Sequence, residues 1–459
     1  MQSKGLQGAT YTYYTVHSSF YIIHLSFYIY KMSTQHYKHY ETLQIHTGYN
    51  TDPTTLSQTV PLNLTTAYRF KDSAHAQRLF ALEEQGNIYS RLTNPTTEVL
   101  EKRITALENG LASLVVSSGH AAQLIAFTTL LLQGDSLVAS PYLYGGTFNQ
   151  LKVYLKNFGI TTRFAKSEKT EDLEAQIDET TKAIYVETIG NPGFSVPDFD
   201  ALSKLSNKYQ IPLIVDNTFA AAGYLCRPIE HGAHIVVQSA TKWINGHGTA
   251  LGGVITDSGN FNWRNGKFPL LSEPSAGYHG LRYTEAFGNA AFIARARCEG
   301  LRDLGPCISP FNSFLMIQGL ETLSLRAERQ CQNTLALAKW LQQHPKVKCV
   351  NYLGLPEHPS HNLAKRYLRN GFGSMLSFEV DGNLDATTRV VDSLNLVSHV
   401  ANVGDSRTLI IQPANTTHQQ LTEQEQVAAG VTPSLLRVSV GIEHIDDIID
   451  DFGNAFGRI

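Results

Sequence analysis

The chain predicts an α/β fold, with a mostly parallel central sheet covered by helices and a smaller α+β domain at the C-terminal end. Three observations predict it. Short apolar runs recur without internal alternation, the pattern of strands buried on both faces. Stretches of helical periodicity separate them, as the crossovers between parallel strands require. After about Ser309 the texture shifts to one long helical stretch, two strand candidates and polar loops.

Leu111 to Val116 is the first apolar run, and Ser117-Ser118-Gly119 turns it into a helix over Ala121 to Leu132. Gln133-Gly134-Asp135 ends that helix, because glycine and aspartate favour turns. Ser136 to Ala139 and Lys182 to Val186 follow as buried strands. Ala201 to Tyr209 reads as helix and stops before Ile211-Pro212, where proline removes a donor. Pro212 to Val215 ends at Asp216, and Ala233 to Val237 ends near Ser239. Parallel connections are right-handed, and ligands gather at strand carboxyl ends. In the C-terminal part, one helix is expected from Phe311 to Trp340, strands at Val347 to Tyr352 and Met375 to Val380, and a last helix from Asp446 to Phe456.

At 459 residues the chain has room for about three units of roughly 150 residues. A hydrophobic fraction of 42% with 21 Tyr and 21 Phe supplies large cores and excludes global disorder. Thirty-seven Lys and Arg against 40 Asp and Glu leave a net charge of -3, so nucleic acid is not an expected partner. Five widely spaced cysteines without a CxxC pair argue against a disulfide framework or zinc ribbon, and point to a reducing, cytoplasmic setting. The longest apolar stretch, Tyr21 to Tyr30, is interrupted by His24 and Ser26, so no membrane span is expected. Met1 to Lys31 is rich in Tyr, Ser and Thr and lacks Arg, which fits neither a mitochondrial presequence nor a signal peptide. Residues 1–31 are expected to be a disordered extension, or to lie upstream of a true start at Met32.

Four features carry chemistry, each at the end of a strand. Ser117 to Ala122 is a small-residue turn opening a helix, where backbone N–H groups and the helix dipole suit a phosphate; alone it would be no more than a capped helix. Asp216 closes an apolar strand, an expensive place for a carboxylate unless it is paired or faces a cleft. Ser239-Ala240-Thr241-Lys242 sets two hydroxyls around an amine, and a lone lysine there would be an ordinary loop residue. Tyr142 to Thr147 brings aromatics to the same edge, where Tyr144 by itself would be structural. Taken together, a phosphate cup, an amine, an acid and an aromatic are what pyridoxal 5'-phosphate (PLP) needs. The amine forms a Schiff base, the acid keeps the pyridine nitrogen protonated, and the aromatic stacks on the ring.

Glu187 to Pro192 (ETIGNP), Asp216 to Phe219 (DNTF) and Ser239 to Ile244 (SATKWI) resemble motifs of the Cys/Met-metabolism, or transsulfuration, family of PLP enzymes, and the resemblance runs from about Leu43 to Phe456. It implies fold type I, similar to aspartate aminotransferase. It also implies an arm over residues 32–93 that contributes to a neighbouring subunit, a PLP-binding large domain over 94–308 and a small domain over 309–459. A homotetramer, a dimer of dimers with shared active sites, follows from the same resemblance.

Residue by residue, the resemblance makes Lys242 the Schiff-base lysine, Asp216 the pyridine-nitrogen partner and Tyr144 the stacking aromatic. Ser239 and Thr241, with the amides of Gly119 and His120, match the phosphate cup. Tyr89 and Arg91 match the pair that reaches the phosphate in the neighbouring subunit. Arg437 matches the arginine that grips the substrate α-carboxylate, a task for which a bidentate guanidinium is suited; Asn191 and Asn402 join it on the substrate side. The stretch from Trp243 to Gly253, the run Gly277 to Gly280 and Asn402 before Val403-Gly404-Asp405 are similar to the sulfhydrylase branch. That branch implies γ-replacement, in which O-acetyl-L-homoserine and sulfide give L-homocysteine and acetate. Cystathionine γ-synthase or γ-lyase is the nearest alternative, and a PLP-binding protein without turnover the distant one. His120 and Asn63 depart from the Gln or Met and the Tyr that the family commonly has there.

Other motifs carry less. Gly371-Phe372-Gly373-Ser374 lacks the third glycine and following helix of a dinucleotide site. The 17 histidines include no HExxH spacing, so no metal is expected. Asn63-Leu64-Thr65 and Asn415-Thr416-Thr417 fit a glycosylation pattern without a secretion signal before them.

Overall fold

A computed structural model describes residues 37–191, 193–416, 419 and 431–459. The reading of Met1 to Lys31 lies outside the described residues, as does Thr417 of the second glycosylation pattern.

Seven strands form the large sheet: β1 (Ala112–Val116), β2 (Ser136–Ala139), β3 (Thr161–Phe164), β4 (Thr181–Glu187), β5 (Leu213–Asp216), β6 (Ile235–Gln238) and β7 (Gly253–Asp257). Their order is β1-β7-β6-β5-β4-β2-β3. Along β5, Leu213 and Val215 enter one apolar core while Ile214 enters the other, so both faces of the sheet are buried. That is why the runs read as apolar without alternation. Helices Gly119–Leu130 and Phe199–Tyr209 are among those that cover it.

One strand breaks the parallel pattern. β7 runs antiparallel to both β1 and β6. Residues 239–252 join β6 to β7 without a crossover helix, so the chain turns straight back, as an antiparallel pair allows and a parallel pair does not. The beginning of β7 therefore lies at the same sheet edge as the ends of the other strands. It is pressed there against the turn after β1: a Cβ on Gly253 would lie 2.0 Å from the Ser118 carbonyl oxygen.

The smaller sheet comprises β8 (Val347–Asn351), β9 (Met375–Val380), β10 (Ser398–His399), β11 (Leu409–Ile411) and β12 (Leu435–Ser439), in the order β10-β11-β12-β9-β8. Arg437 pairs in register with Ser377 and Ile411. The last helix, Ile445–Phe456, packs its apolar side on this sheet.

The single helix expected from Phe311 to Trp340 is two helices, Pro310–Glu321 and Leu323–Gln343, broken at Thr322. The carbonyl of Gly319 accepts from Arg326 Nη2 at 2.6 Å as well as from the Thr322 hydroxyl and amide, so the helical ladder is diverted there. Gly319 itself has no room for a side chain, since a Cβ would lie 2.2 Å from the Asn245 carbonyl oxygen.

Candidate active site

A cavity of 270 Å³ opens where the carboxyl ends of the parallel strands meet the start of β7. The turn after β1 forms one wall. Ser118 caps helix Gly119–Leu130, its Oγ accepting the Ala121 N–H, and leaves the first amides of that helix at the cavity. Gly119 lies so close to Ser239 that a Cβ would meet the Ser239 Cβ at 2.8 Å. Ser239 and Thr241 bring hydroxyls to the same wall. Amides at a helix N-terminus, together with two hydroxyls, make a cup suited to a phosphate.

Lys242 rises from the tight turn that follows β6, in which the Gly246 N–H returns to its carbonyl. Trp243 anchors this turn through its indole N–H on Ser374 Oγ, and Arg326 Nη2 donates to the Trp243 carbonyl. Burial first, and then the positive charge of Arg437, push the Lys242 amine down to about 8. Its Nζ donates to Asn402 Oδ1 at 2.6 Å. The structure thus sets Asn402, expected on the substrate side, against the lysine.

Asp216 is aimed by four donors. Its Oδ1 accepts from the amide and hydroxyl of Thr218, and its Oδ2 from Gln123 Nε2 at 3.0 Å and the Tyr185 hydroxyl at 3.4 Å. Burial raises the carboxyl above the usual range while these hydrogen bonds pull the other way. The Tyr144 ring is half-exposed at the cavity and meets the His120 ring edge-on, centroids 5.9 Å apart. His120 therefore lends a ring as well as an amide.

Arg437 lines the cavity from β12 and is 5% exposed. Burial lowers its guanidinium to about 10. No carboxylate forms an ion pair with it among the described residues; Asn191 Oδ1 accepts from it at 3.4 Å. A buried guanidinium without a counter-ion is prepared for an incoming carboxylate.

Tyr89 and Arg91 stand apart. Neither lines this cavity among the described residues, and both are exposed, with the Arg91 guanidinium 5.6 Å from the Tyr89 ring centroid. Asn63 is also outside the cavity lining, where its amide N–H donates to Thr96 Oγ1.

The sequence matches, over residues 41–457, the family described as Cys/Met metabolism PLP-dependent enzyme. The chain belongs to that family of pyridoxal-phosphate enzymes. It is 56% identical over 420 residues to homocysteine synthase of Schizosaccharomyces pombe, covering 91% of this chain and 98% of the relative. To O-acetyl-L-homoserine sulfhydrylase 1 of Thermus thermophilus it is 54% identical over 410 residues, covering 89% and 97%. A solved structure described as an O-acetylhomoserine (thiol)-lyase of Campylobacter jejuni superposes with a TM-score of 0.89 at 39% identity, over 92% of this chain and all of that one. It carries a pyridoxyl-lysine phosphate. The cavity of this family member fits the cofactor: amides and hydroxyls for a phosphate, a partly buried amine and an oriented carboxylate line one space, with a half-exposed aromatic at its edge. The fold is type I, with the large sheet and a smaller C-terminal sheet.

Sequence reasoning missed Gln123 and Tyr185 as partners of Asp216, and left Glu187 without a task. Gln123 carried a usable signal. It follows Gly119 by four residues in a mostly apolar helix, so it faces the same edge. β12, which presents Arg437, was also missed, because Leu-Leu-Arg-Val-Ser is short and interrupted by a charge.

Proposed function

We propose that this enzyme catalyses γ-replacement, converting O-acetyl-L-homoserine and sulfide to L-homocysteine and acetate. The observation that carries the reading is the pairing, in one cavity, of a partly buried amine at about 8 with a buried guanidinium that has no carboxylate partner among the described residues. The names of relatives at 54–56% identity favour the acetylated substrate and sulfide. In this reading Arg437 holds the substrate carboxylate, and Asn191 fixes the guanidinium. Lys242 removes a proton at the substrate Cα and returns one at the end, for which an amine near neutrality is suited. Asn402 accepts a hydrogen bond from Nζ and so steers the amine. Asp216 holds a proton on the pyridine nitrogen, and Ser239, Thr241 and the amides of Gly119 and His120 hold the phosphate. The cofactor, when bound, supplies an electron sink for charge developed at Cα.

The exposed Tyr89 and Arg91, outside the cavity of their own chain, support a site completed by a neighbouring subunit. Exposed Leu56, Leu64 and Phe80 on the same arm support burial of that arm in a homotetramer. We read residues 94–308 as the cofactor-binding domain and 309–459 as the small domain. Five free thiols support a cytoplasmic setting.

The test is a side-by-side assay of the purified enzyme with O-acetyl-L-homoserine and either sulfide or cysteine. Faster homocysteine formation with sulfide is expected. Faster turnover with cysteine would replace the reading by cystathionine γ-synthase, and no turnover with either would leave a binding protein.

A further inference from the structure

Two carboxyl groups close adjacent strands at the cavity, and only one of them has a task so far. Glu187 ends β4 beside Asp216, its register partner on β5. Both line the cavity. Asp216 accepts four hydrogen bonds, whereas among the described residues Glu187 accepts one, from the Tyr144 backbone N–H at 2.7 Å to Oε1. A third carboxyl, the partly buried Glu168, stands nearby and accepts from the Ser140 hydroxyl. Among the described residues none of the three forms an ion pair with a lysine or arginine. Two adjacent carboxylates without counter-ions do not both keep their charge, and between Glu187 and Asp216 the proton goes to the one with fewer donors. Asp216 is therefore the anion and Glu187 the acid. In agreement, burial first, and then the charge of Asp216, push the Glu187 carboxyl well above the usual range.

Tyr144 needs such an anchor. Its ring is 44% exposed and makes an edge contact with His120, so side-chain packing fixes it weakly. Its carbonyl accepts the Phe148 N–H at the start of helix Gly145–Lys152, a helix whose N-cap has no side-chain hydrogen bond. The backbone at Tyr144 is thus tied to the helix through its carbonyl and to β4 through its N–H. We propose that Glu187 is a positioning residue, a neutral carboxyl whose oxygen holds the Tyr144 N–H and thereby keeps the aromatic ring over the cofactor. The inference rests on the reading that Tyr144 stacks on the pyridine ring.

The test titrates pyridoxal 5'-phosphate into the full-length enzyme stripped of cofactor, followed by quenching of protein fluorescence. Loss of one anchoring hydrogen bond predicts that Glu187→Ala weakens affinity about tenfold. Glu187→Gln keeps a neutral carbonyl acceptor of the same length and should stay within about threefold of the parent. Glu187→Asp, one methylene too short to reach the amide, should behave like the alanine variant, and covers the case in which alanine misfolds. Glu187→Ala combined with Tyr144→Ala should bind no more weakly than Tyr144→Ala alone, since coupled residues are non-additive. Unchanged affinity in both Glu187→Ala and Glu187→Asp, a glutamine variant as weak as alanine, or additive losses would each overturn the proposal. If Tyr144→Ala itself binds cofactor normally, the stacking reading fails and takes this one with it. If it binds weakly while the alanine and aspartate variants of Glu187 do not, the stacking reading stands and this one falls.

Discussion

Lys242 and Arg437 are two cations in one partly desolvated space, and the guanidinium makes the amine less willing to be charged. An ordinary lysine is almost wholly protonated at neutral pH, but one at about 8 has roughly a tenth of its population free to attack at pH 7. Because this amine is shifted downward from 10.5, its reactive fraction grows as pH rises and is nearly complete above about pH 9. Capture of pyridoxal 5'-phosphate by the stripped enzyme should therefore accelerate through a midpoint near pH 8, measured by stopped-flow absorbance. Arg437→Met removes the repelling charge, so the midpoint should move up while staying below 10.5, because burial remains the larger cause. An unmoved midpoint would mean that the guanidinium does not act on the amine.

Among the elements, the helical segment Ala291 to Leu304 shows how a distant ion pair reaches the arm. It passes through a π-helical stretch, Ala296–Leu301, of the kind that concentrates at functional places. Arg297 at its start donates to Glu101 Oε2 at 2.7 Å and to the Leu92 carbonyl at 2.8 Å, while Glu101 Oε1 accepts the Val115 N–H. The pair is buried and joins β1, helix Pro95–Glu108 and the residue next to Arg91. Arg297→Met leaves a buried carboxylate alone and should cost about 3–5 kcal/mol, read from urea denaturation. Cofactor affinity should fall with it, because Leu92 loses its tether. This pair was invisible in the sequence, since its members lie far apart in the chain and each reads as a surface charge. The strands were legible because burial on both faces leaves an unbroken apolar run. Strand β7 escaped notice because its direction follows from the connection before it rather than from its own residues. The lysine, the acid and the phosphate turn were legible because each sits where an apolar run stops. Of the donors that aim Asp216, Tyr185 was not, as it lies inside an apolar strand, and Gln123 offered only its helical spacing from Gly119.

For the whole molecule, Lys242 lines the cavity of its own chain while the exposed Arg91 does not. Mixed populations of Lys242→Ala and Arg91→Ala chains should regain activity on subunit exchange, up to about a quarter of the parent if dimers re-form statistically. The assay is run at limiting cofactor, where Arg91→Ala alone is weak, and exchange is verified independently. Absence of recovery would mean that both residues act within one chain or that Arg91 has another role. Another consequence follows from the sheet order. Among the described residues β1 pairs with β7 alone, and β7 is made about 140 residues after it. At the pace of synthesis this interval is on the order of ten seconds, during which β1 has no strand to join. The phosphate turn exists in the emerging chain from the start, but the wall that shapes it arrives only with Gly253. A nascent chain, or a product truncated before residue 253, carries most of the residues that line this side of the cavity and yet lacks the strand that closes it.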